Sequence, residues 1–151
     1  MQNFSSRALR WLCYRLLVCG LLLAGGGTPV IAQTAKVGPE MVAQKVSASS
    51  WYVEGLSALG SSANRNYISN AAFVVTPAGV VVIDALGSPA LAEHLMVEIR
   101  KVTPLPVTHV IVTHYHADHI YGLQAFKAKG ARIIADQAAR EYLDSDTARV
   151  L

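Results

Sequence analysis

The stretch Val107-Thr-His-Val-Ile-Val-Thr-His-Tyr-His-Ala-Asp-His119 decides the fold class and points to the chemistry of this chain. Its first part, residues 107–112, is mostly apolar and β-branched, which is typical of a strand buried on both faces of a sheet. Its second part places three histidines and a carboxylate within six residues, from His114 to His119. Zinc and similar divalent ions prefer imidazole and carboxylate ligands. Because open α/β sheets bind ligands beyond the carboxyl ends of their strands, the stretch predicts a metal site there.

The spacing of these four residues suits two neighbouring ions. His114 and His116 lie two apart in an extended segment, so both rings can face the same side and hold one ion. Asp118 and His119 follow where apolar residues begin to recur at helical intervals, so this pair is displaced and suits a second ion. A lone histidine at a strand end more commonly caps and solvates a loop, but three histidines with an aspartate favour a metal site.

The run His114-Tyr-His-Ala-Asp-His119 matches the highly specific His-x-His-x-Asp-His signature of the metallo-β-lactamase fold superfamily. The segment from Asn70 to Asp84 resembles the early β-hairpin of that family, which ends in an aspartate. The resemblance covers residues 46–151 and is closest in general look to exported metallohydrolases, either subclass B3 lactamases or periplasmic hydrolases associated with quinoprotein systems. It implies the N-terminal half of a four-layer αββα sandwich, an α/β fold whose mixed sheet carries helices on one face.

The resemblance also implies a role for each residue that matches the family. His114 and His116 resemble two of the three histidine ligands of the first ion, and Asp118 and His119 resemble ligands of the second. Asp118 is in addition the catalytic residue, because it would orient the hydroxide that bridges the ions. Asp84 resembles the aspartate that hydrogen-bonds the metal-bearing loop and so fixes the ligand orientation. The alternative for Asp84 is a turn residue that closes a strand.

The activity implied is zinc-dependent hydrolysis of a small-molecule ester, thioester or lactam. Two zinc ions would polarise the substrate carbonyl and lower the pKa of water, so that a metal-bound hydroxide attacks without a protein nucleophile. Two other classes stay open. One is a non-haem iron oxidoreductase resembling persulfide dioxygenases, which would hold iron. The other is a catalytically dead, truncated remnant or a binding module.

The ligand count predicts an incomplete site. The chain offers two ligands to each ion, whereas a catalytic zinc normally takes about three from protein. In the family, two more histidines and a bridging carboxylate come from later sequence. Of the other two histidines, His94 is predicted mid-helix and His109 lies within the strand, about 17 Å before the cluster at extended rise. We therefore expect weak metal binding and little activity, unless a second chain or a continuation completes the site.

Residues 1–32 have the pattern of a secretory signal peptide. Three arginines accompany an apolar core at residues 16–24, and Val30-Ile-Ala32 fits a small-residue cleavage site. This core is shorter than the roughly 20 residues that span a bilayer, so we expect no permanent membrane anchor and a periplasmic or secreted location. Residues 33–45 are mostly polar and predict a flexible arm before the partial domain at residues 46–151.

Charge and cysteine content change when the leader is set aside. Three of the 13 basic residues lie in it, which leaves 10 basic residues against 10 acidic ones and a formal net charge of zero. We therefore expect no nucleic-acid partner, because nothing in these residues suggests the clustered basic face that nucleic-acid binding needs. Cys13 and Cys19 both lie in the leader, so neither a disulfide nor a thiolate ligand is expected in the rest of the chain.

Strand and helix signals alternate along the rest of the chain, as in an α/β sheet. We expect self-association or aggregation of the isolated chain, because apolar runs at residues 80–83 and 110–112 would show one sheet face to water. The predicted elements are a strand at 46–56, a loop at 57–66, a hairpin at 73–76 and 80–83, a helix capped by Ser88 and running to Lys101, the strand at 107–112, a helix at 119–129 ended by Gly130, a strand at 131–135 and a helix opened by Asp136.

Overall fold

A computed structural model describes residues 40–146, and the predicted leader lies outside this range. These residues form one mixed, six-stranded sheet whose strand order follows the chain, β1-β2-β3-β4-β5-β6. The first four strands pair antiparallel, and β4, β5 and β6 are parallel. The elements are β1 Gln44–Lys45, β2 Ser50–Val53, β3 Ala71–Thr76, β4 Gly79–Ile83, α1 Pro89–Val102, β5 Val107–Ile111, α2 Ala117–Ile120, α3 Leu123–Ala128, β6 Arg132–Ile134 and α4 Ala139–Leu143.

The hairpin and the first helix form where the sequence predicts them. β3 and β4 pair as far as Thr76 and Gly79, which flank the two-residue turn. The Ser88 hydroxyl caps α1 by accepting a hydrogen bond from the Leu91 amide at 3.2 Å. Pro89 occupies the first turn, where a missing N–H costs nothing. Local turn and capping chemistry is therefore enough to define this part of the fold.

Two predicted strand limits differ from the structure. The strand predicted at residues 46–56 is shorter, because the amides of Val46 and Ser47 donate to the Ser50 carbonyl and turn the chain back to β1. The sheet accordingly begins at Gln44, within the segment predicted as an arm, and Met41 is buried. The strand predicted at residues 131–135 is also shorter in the structure, where β6 has three residues, Arg132–Ile134, at the edge of the sheet.

The core lies between the sheet and the helices on one of its faces. Phe73, Val82 and Val110 are fully buried there, and Leu95 of α1 is buried with them. Full burial of such a side chain contributes about 1.5–3 kcal/mol. Trp51 stacks on Phe73 with ring centroids 5.4 Å apart. Leu91 and Ile99, which lie one turn before and after Leu95 on α1, are buried as well, so this face of the helix packs against the sheet.

The opposite face of the sheet is apolar but only half covered. Alternate residues of a strand point to opposite faces. Val81 and Ile83 are half-buried, whereas Ile111 is 39% exposed and Ile134 is 48% exposed. The prediction that β5 is buried on both faces is therefore wrong for the described residues, since Val110 on the helix side is buried and Ile111 on the other side is not. No helix among the described residues is long and apolar enough to cross a membrane.

The single helix predicted at residues 119–129 is two short helices, α2 and α3, separated at Tyr121 and Gly122. Gly122 packs against the segment that follows β4, and its amide donates to the Leu86 carbonyl at 3.0 Å. A Cβ atom at Gly122 would lie 1.9 Å from the Ala85 carbonyl oxygen. The break therefore follows from tertiary packing that local spacing does not reveal. Gly130, with φ +88, ends α3 as predicted.

Candidate metal centre

The segment after β5 brings His114 and His116 together. Nε2 of His114 lies 3.1 Å from Nδ1 of His116, and the ring centroids are 4.7 Å apart. Nδ1 of His114 contacts the Thr113 hydroxyl at 2.8 Å, which leaves Nε2 on the His116 side. Two nitrogens on one tetrahedral zinc ion, with bonds of about 2.0–2.1 Å, are roughly 3.3 Å apart. The spacing of this pair therefore suits a shared ion.

Asp118 and His119 form a second pair on α2. Nε2 of His119 lies 3.5 Å from Oδ2 of Asp118. Their side chains are 28% and 18% exposed, so both can reach a ligand while they are held by the fold. This separation is also close to that of two donors on one tetrahedral ion.

The two pairs are contiguous. The rings of His114 and His119 lie with centroids 4.1 Å apart. Among the described residues, Asp84, His114 and His119 form a group that could hold a metal, with one ligand atom from each and all of these atoms within 4.8 Å of one another. The sequence spacing, in contrast, predicts that His114 and His119 bind different ions and gives no sign that their rings lie close together. We refer to Asp84, His114, His116, Asp118 and His119 as the candidate metal cluster.

Asp84 connects the ends of two strands. Its carboxylate is buried and accepts hydrogen bonds from the Thr113 amide at 2.8 Å and from the Thr113 hydroxyl at 2.7 Å. Its backbone amide donates to the Ile111 carbonyl at 2.9 Å. Asp84 has φ +63, a left-handed conformation that aspartate tolerates better than most residues. These contacts fix the start of the histidine segment against the end of β4.

Asp84 also orients His119. Oδ2 of Asp84 lies 2.8 Å from Nδ1 of His119, and the Ala85 amide donates to the His119 carbonyl at 2.8 Å. A histidine that donates one ring N–H to a carboxylate keeps the other nitrogen available as a metal ligand. In this arrangement Nε2 of His119 faces Asp118. The donor chemistry of the cluster therefore fits a divalent metal ion.

The loop at residues 57–66 and its continuation pack beside α2. The Ser69 hydroxyl donates to the Asp118 carbonyl, 49 residues further along the chain. A Cβ atom at Gly87 would lie 3.1 Å from the Asn66 carbonyl oxygen and 3.3 Å from Cα of Asp118. A small cleft of about 140 Å³ lies between the loop and α2, and Tyr121 lines it. The sequence carried no signal for Ser69, because this contact arises only when distant segments meet.

The two remaining histidines stay outside the cluster. His94 is an exposed residue of α1. Nδ1 of His109 contacts the Thr108 hydroxyl at 3.0 Å. Neither belongs to the group of described residues whose ligand atoms lie within 4.8 Å of one another.

A family model described as the metallo-beta-lactamase superfamily matches residues 64–137, which include the whole cluster. The chain belongs to the metallo-β-lactamase superfamily. It is 34% identical over 82 residues to metallo-beta-lactamase IND-1 of Chryseobacterium indologenes, an alignment that covers 54% of this chain and 34% of that protein. It is 32% identical over 53 residues to a linear primary-alkylsulfatase of a Pseudomonas species, covering 35% of this chain and 10% of that enzyme.

The fold is likewise that of a metallo-β-lactamase. The solved metallo-beta-lactamase from Pontibacter korlensis matches with a TM-score of 0.59 and 19% identity, over 72% of this chain and 49% of that one. The chain spans about a third of the length of the metallo-β-lactamases from Chryseobacterium indologenes and Elizabethkingia meningoseptica. The family and the α/β fold class predicted from the signature are thus confirmed, and the coverage fits one half of the αββα sandwich.

Proposed function

We propose that the chain supplies part of the active site of a zinc-dependent hydrolase that acts on an ester, thioester or lactam. The observation that carries this proposal is the position of His119. Its Nδ1 atom is held by the buried Asp84 carboxylate at 2.8 Å, while its Nε2 atom faces Asp118 at 3.5 Å. A packing histidine would not need a buried carboxylate to set its orientation, whereas a metal ligand benefits from one.

We assign two ligands to each of two ions. Nε2 of His114 and Nδ1 of His116 hold the first, and Asp118 with Nε2 of His119 holds the second. Asp84 is assigned an orienting role, because its two carboxylate oxygens already accept hydrogen bonds from Thr113 and His119. Direct ligation by Asp84 would compete with these bonds, each worth about 1.5–3 kcal/mol for a charged acceptor.

When bound, the ions would act as Lewis acids toward a substrate carbonyl and lower the pKa of water. Asp118 accepts a hydrogen bond from the attacking water and orients it, which is its catalytic role in this proposal. Asp84 and Thr113 hold the histidine segment in place during the reaction. Residues 40–146 contain no cysteine, and the Ser69 hydroxyl already donates to the Asp118 carbonyl, so attack by water is the favoured chemistry.

Similarity to known enzymes supports a small-molecule substrate. The matched relatives are named metallo-β-lactamases and a linear primary-alkylsulfatase, and these names describe hydrolysis of small molecules. The balanced charge of residues 33–151 does not favour nucleic acid. The leader pattern at residues 1–32 supports a periplasmic or secreted location for the exported protein, whose partial domain includes the buried Met41 and β1.

Two ligands for each ion is an incomplete set, since catalytic zinc takes about three from protein. We therefore propose that further donors come from outside the described residues, and that residues 40–146 alone bind metal weakly and have little or no activity. Iron is the alternative metal because its sites also use histidine and carboxylate ligands. A catalytically dead remnant is the alternative that the ligand count favours.

Metal titration tests the assignment. Isothermal calorimetry of the metal-free chain with zinc chloride should show binding that His116→Ala weakens at least tenfold, because one of two ligands of the first ion is lost. His94→Ala is the matched control, since His94 is exposed on α1. Equal zinc binding by wild type and His116→Ala would refute the assignment. Purified protein that holds iron and consumes oxygen would favour the oxidoreductase instead.

A further inference from the structure

An apolar cavity of about 260 Å³ lies next to the candidate metal cluster. It is lined by Ile120 and Leu123 on the helix side, by Ile133 of β6 and by Tyr142 of α4. Thr113 and His114 line it as well, so the cavity and the cluster share His114. The position is at the carboxyl ends of β5 and β6, where open α/β sheets bind their ligands.

The cavity is open because small residues stand where α4 begins. Ala138 and Ala139 line this side, and larger side chains here would fill the space. The ring of Tyr142 lies 4.7 Å from that of Tyr115, centroid to centroid, so the aromatic pair forms one wall. A largely apolar cavity with a few polar groups at one place is the usual form of a small-molecule site.

We propose that this cavity binds the apolar chain or ring of the substrate and so holds its hydrolysable group beside His114. This inference rests on the proposed function, and it narrows the substrate class to esters or thioesters with an alkyl or aryl group. An apolar cavity of about 150 Å³ holds benzene, so 260 Å³ accommodates a group of roughly ten carbon atoms. Asp136 also lines the cavity, and its carboxylate disfavours an anionic end of the chain.

The test is the binding of 1-butanol, 1-hexanol and 1-octanol to the full chain in the absence of metal, followed by methyl and imidazole NMR. The methyl signals of Leu123 and Ile133 and the ring signal of His114 should shift together. Each added methylene group should tighten binding by up to about fourfold, as expected when a methylene group leaves water. Affinity that is independent of chain length would overturn the inference.

Matched variants locate the binding site. Ala139→Leu fills the cavity and should weaken 1-octanol binding at least tenfold, whereas Ala128→Leu, on the exposed side of α3, should leave it unchanged. Equal affinity in both variants would contradict the assignment. If Ala139→Leu does not fold, Tyr142→Ala removes one wall instead and should weaken binding about tenfold, and an unchanged affinity would again contradict it.

A zinc titration of the same samples separates the two proposals. If the wild-type chain binds zinc but none of the alcohols, this inference is overturned and the proposed function still stands. Intact alcohol binding in a chain that binds no zinc overturns the proposed function, and with it the assignment of the cavity to a substrate.

Discussion

Oδ2 of Asp84 lies 2.8 Å from Nδ1 of His119, across 35 residues of sequence. The two residues come from different elements, since Asp84 follows β4 and His119 belongs to α2. The contact places a buried acceptor behind a ring whose other nitrogen faces the remaining ligands. The packing of the segment after β4 against α2 therefore sets the orientation of the His119 ring in the candidate metal centre.

Replacing Asp84 tests this link. Asp84→Asn keeps the shape of the side chain but removes the charge that accepts from Thr113 and His119. We expect zinc affinity to fall about 10–100-fold, because the support of a metal-binding histidine is lost. The free energy of unfolding should fall by about 1.5–3 kcal/mol. Calorimetry and urea denaturation measure the two effects, and Glu93→Gln, at an exposed residue of α1, is the control.

A substitution at Gly122 tests whether close packing against the segment after β4 causes the break between α2 and α3. Gly122→Ala would place a Cβ atom 1.9 Å from the Ala85 carbonyl oxygen, so we expect a loss of about 3 kcal/mol or more. Gly130→Ala is the matched control, because a Cβ atom there has no neighbour within 4 Å and only the positive φ is unfavourable. It should cost about 1 kcal/mol. Equal losses in urea denaturation would show that close approach at Gly122 is unimportant.

The raised pKa of the Tyr67 hydroxyl predicts that the free energy of unfolding depends on pH in the alkaline range. Burial, with a smaller contribution from the carboxylates of Glu54 and Glu98, raises the pKa of Tyr67 from 10.0 to about 12. Between pH 10 and about 12 the unfolded chain releases this proton and the folded chain keeps it, so stability falls as the pH rises through this window. Tyr67→Phe should remove that part of the slope, as thermal unfolding at several pH values would show.

The same substitution has a second consequence near neutral pH. The Tyr67 hydroxyl is buried and has no hydrogen-bond partner among the described residues. Removing it should leave the free energy of unfolding within about 0.5 kcal/mol of wild type or increase it, since no hydrogen bond is lost. A loss of more than 2 kcal/mol at pH 7 would indicate a partner outside residues 40–146.

The sheet face that carries no helix among residues 40–146 predicts association between copies of this chain. Cross-strand pairs connect Ile83, Ile111 and Ile134 into one apolar surface, because Ile111 pairs with both Ile83 and Ile134. Val81, two residues before Ile83 on β4, extends this surface along the strand. Light scattering should therefore detect dimers or larger species at micromolar concentration. Ile111→Lys should shift the protein toward monomer, and Val97→Lys on α1 should not. A monomeric wild type with a cooperative thermal transition would contradict this prediction.

Local sequence signals predicted the elements whose causes are local. Ser88 and Pro89 begin α1 by capping chemistry, and the turn between Thr76 and Gly79 forms the hairpin. The break at Gly122 was missed because its cause is the backbone of Ala85, which is distant in sequence. Local patterns alone can predict a helix there, but they cannot reveal what packs against it.

The sequence likewise predicts some contacts of the candidate site and gives no signal for others. Two-residue spacing correctly predicted that His114 and His116 lie together, since extended backbone repeats every two residues. The proximity of His114 to His119 depends on the turn into α2, which spacing does not define. The contact of Ser69 with Asp118 joins residues 49 apart, and no local pattern signals it.

The central claim is that the imidazoles after β5 are metal ligands oriented by Asp84. Long-range ¹⁵N NMR of the histidine rings during zinc titration tests it most directly. We expect shifts at Nε2 of His114, Nδ1 of His116 and Nε2 of His119, while the rings of His94 and His109 stay unchanged and Nδ1 of His119 keeps its proton. Unchanged cluster rings, or zinc binding through Nδ1 of His119, would contradict the claim.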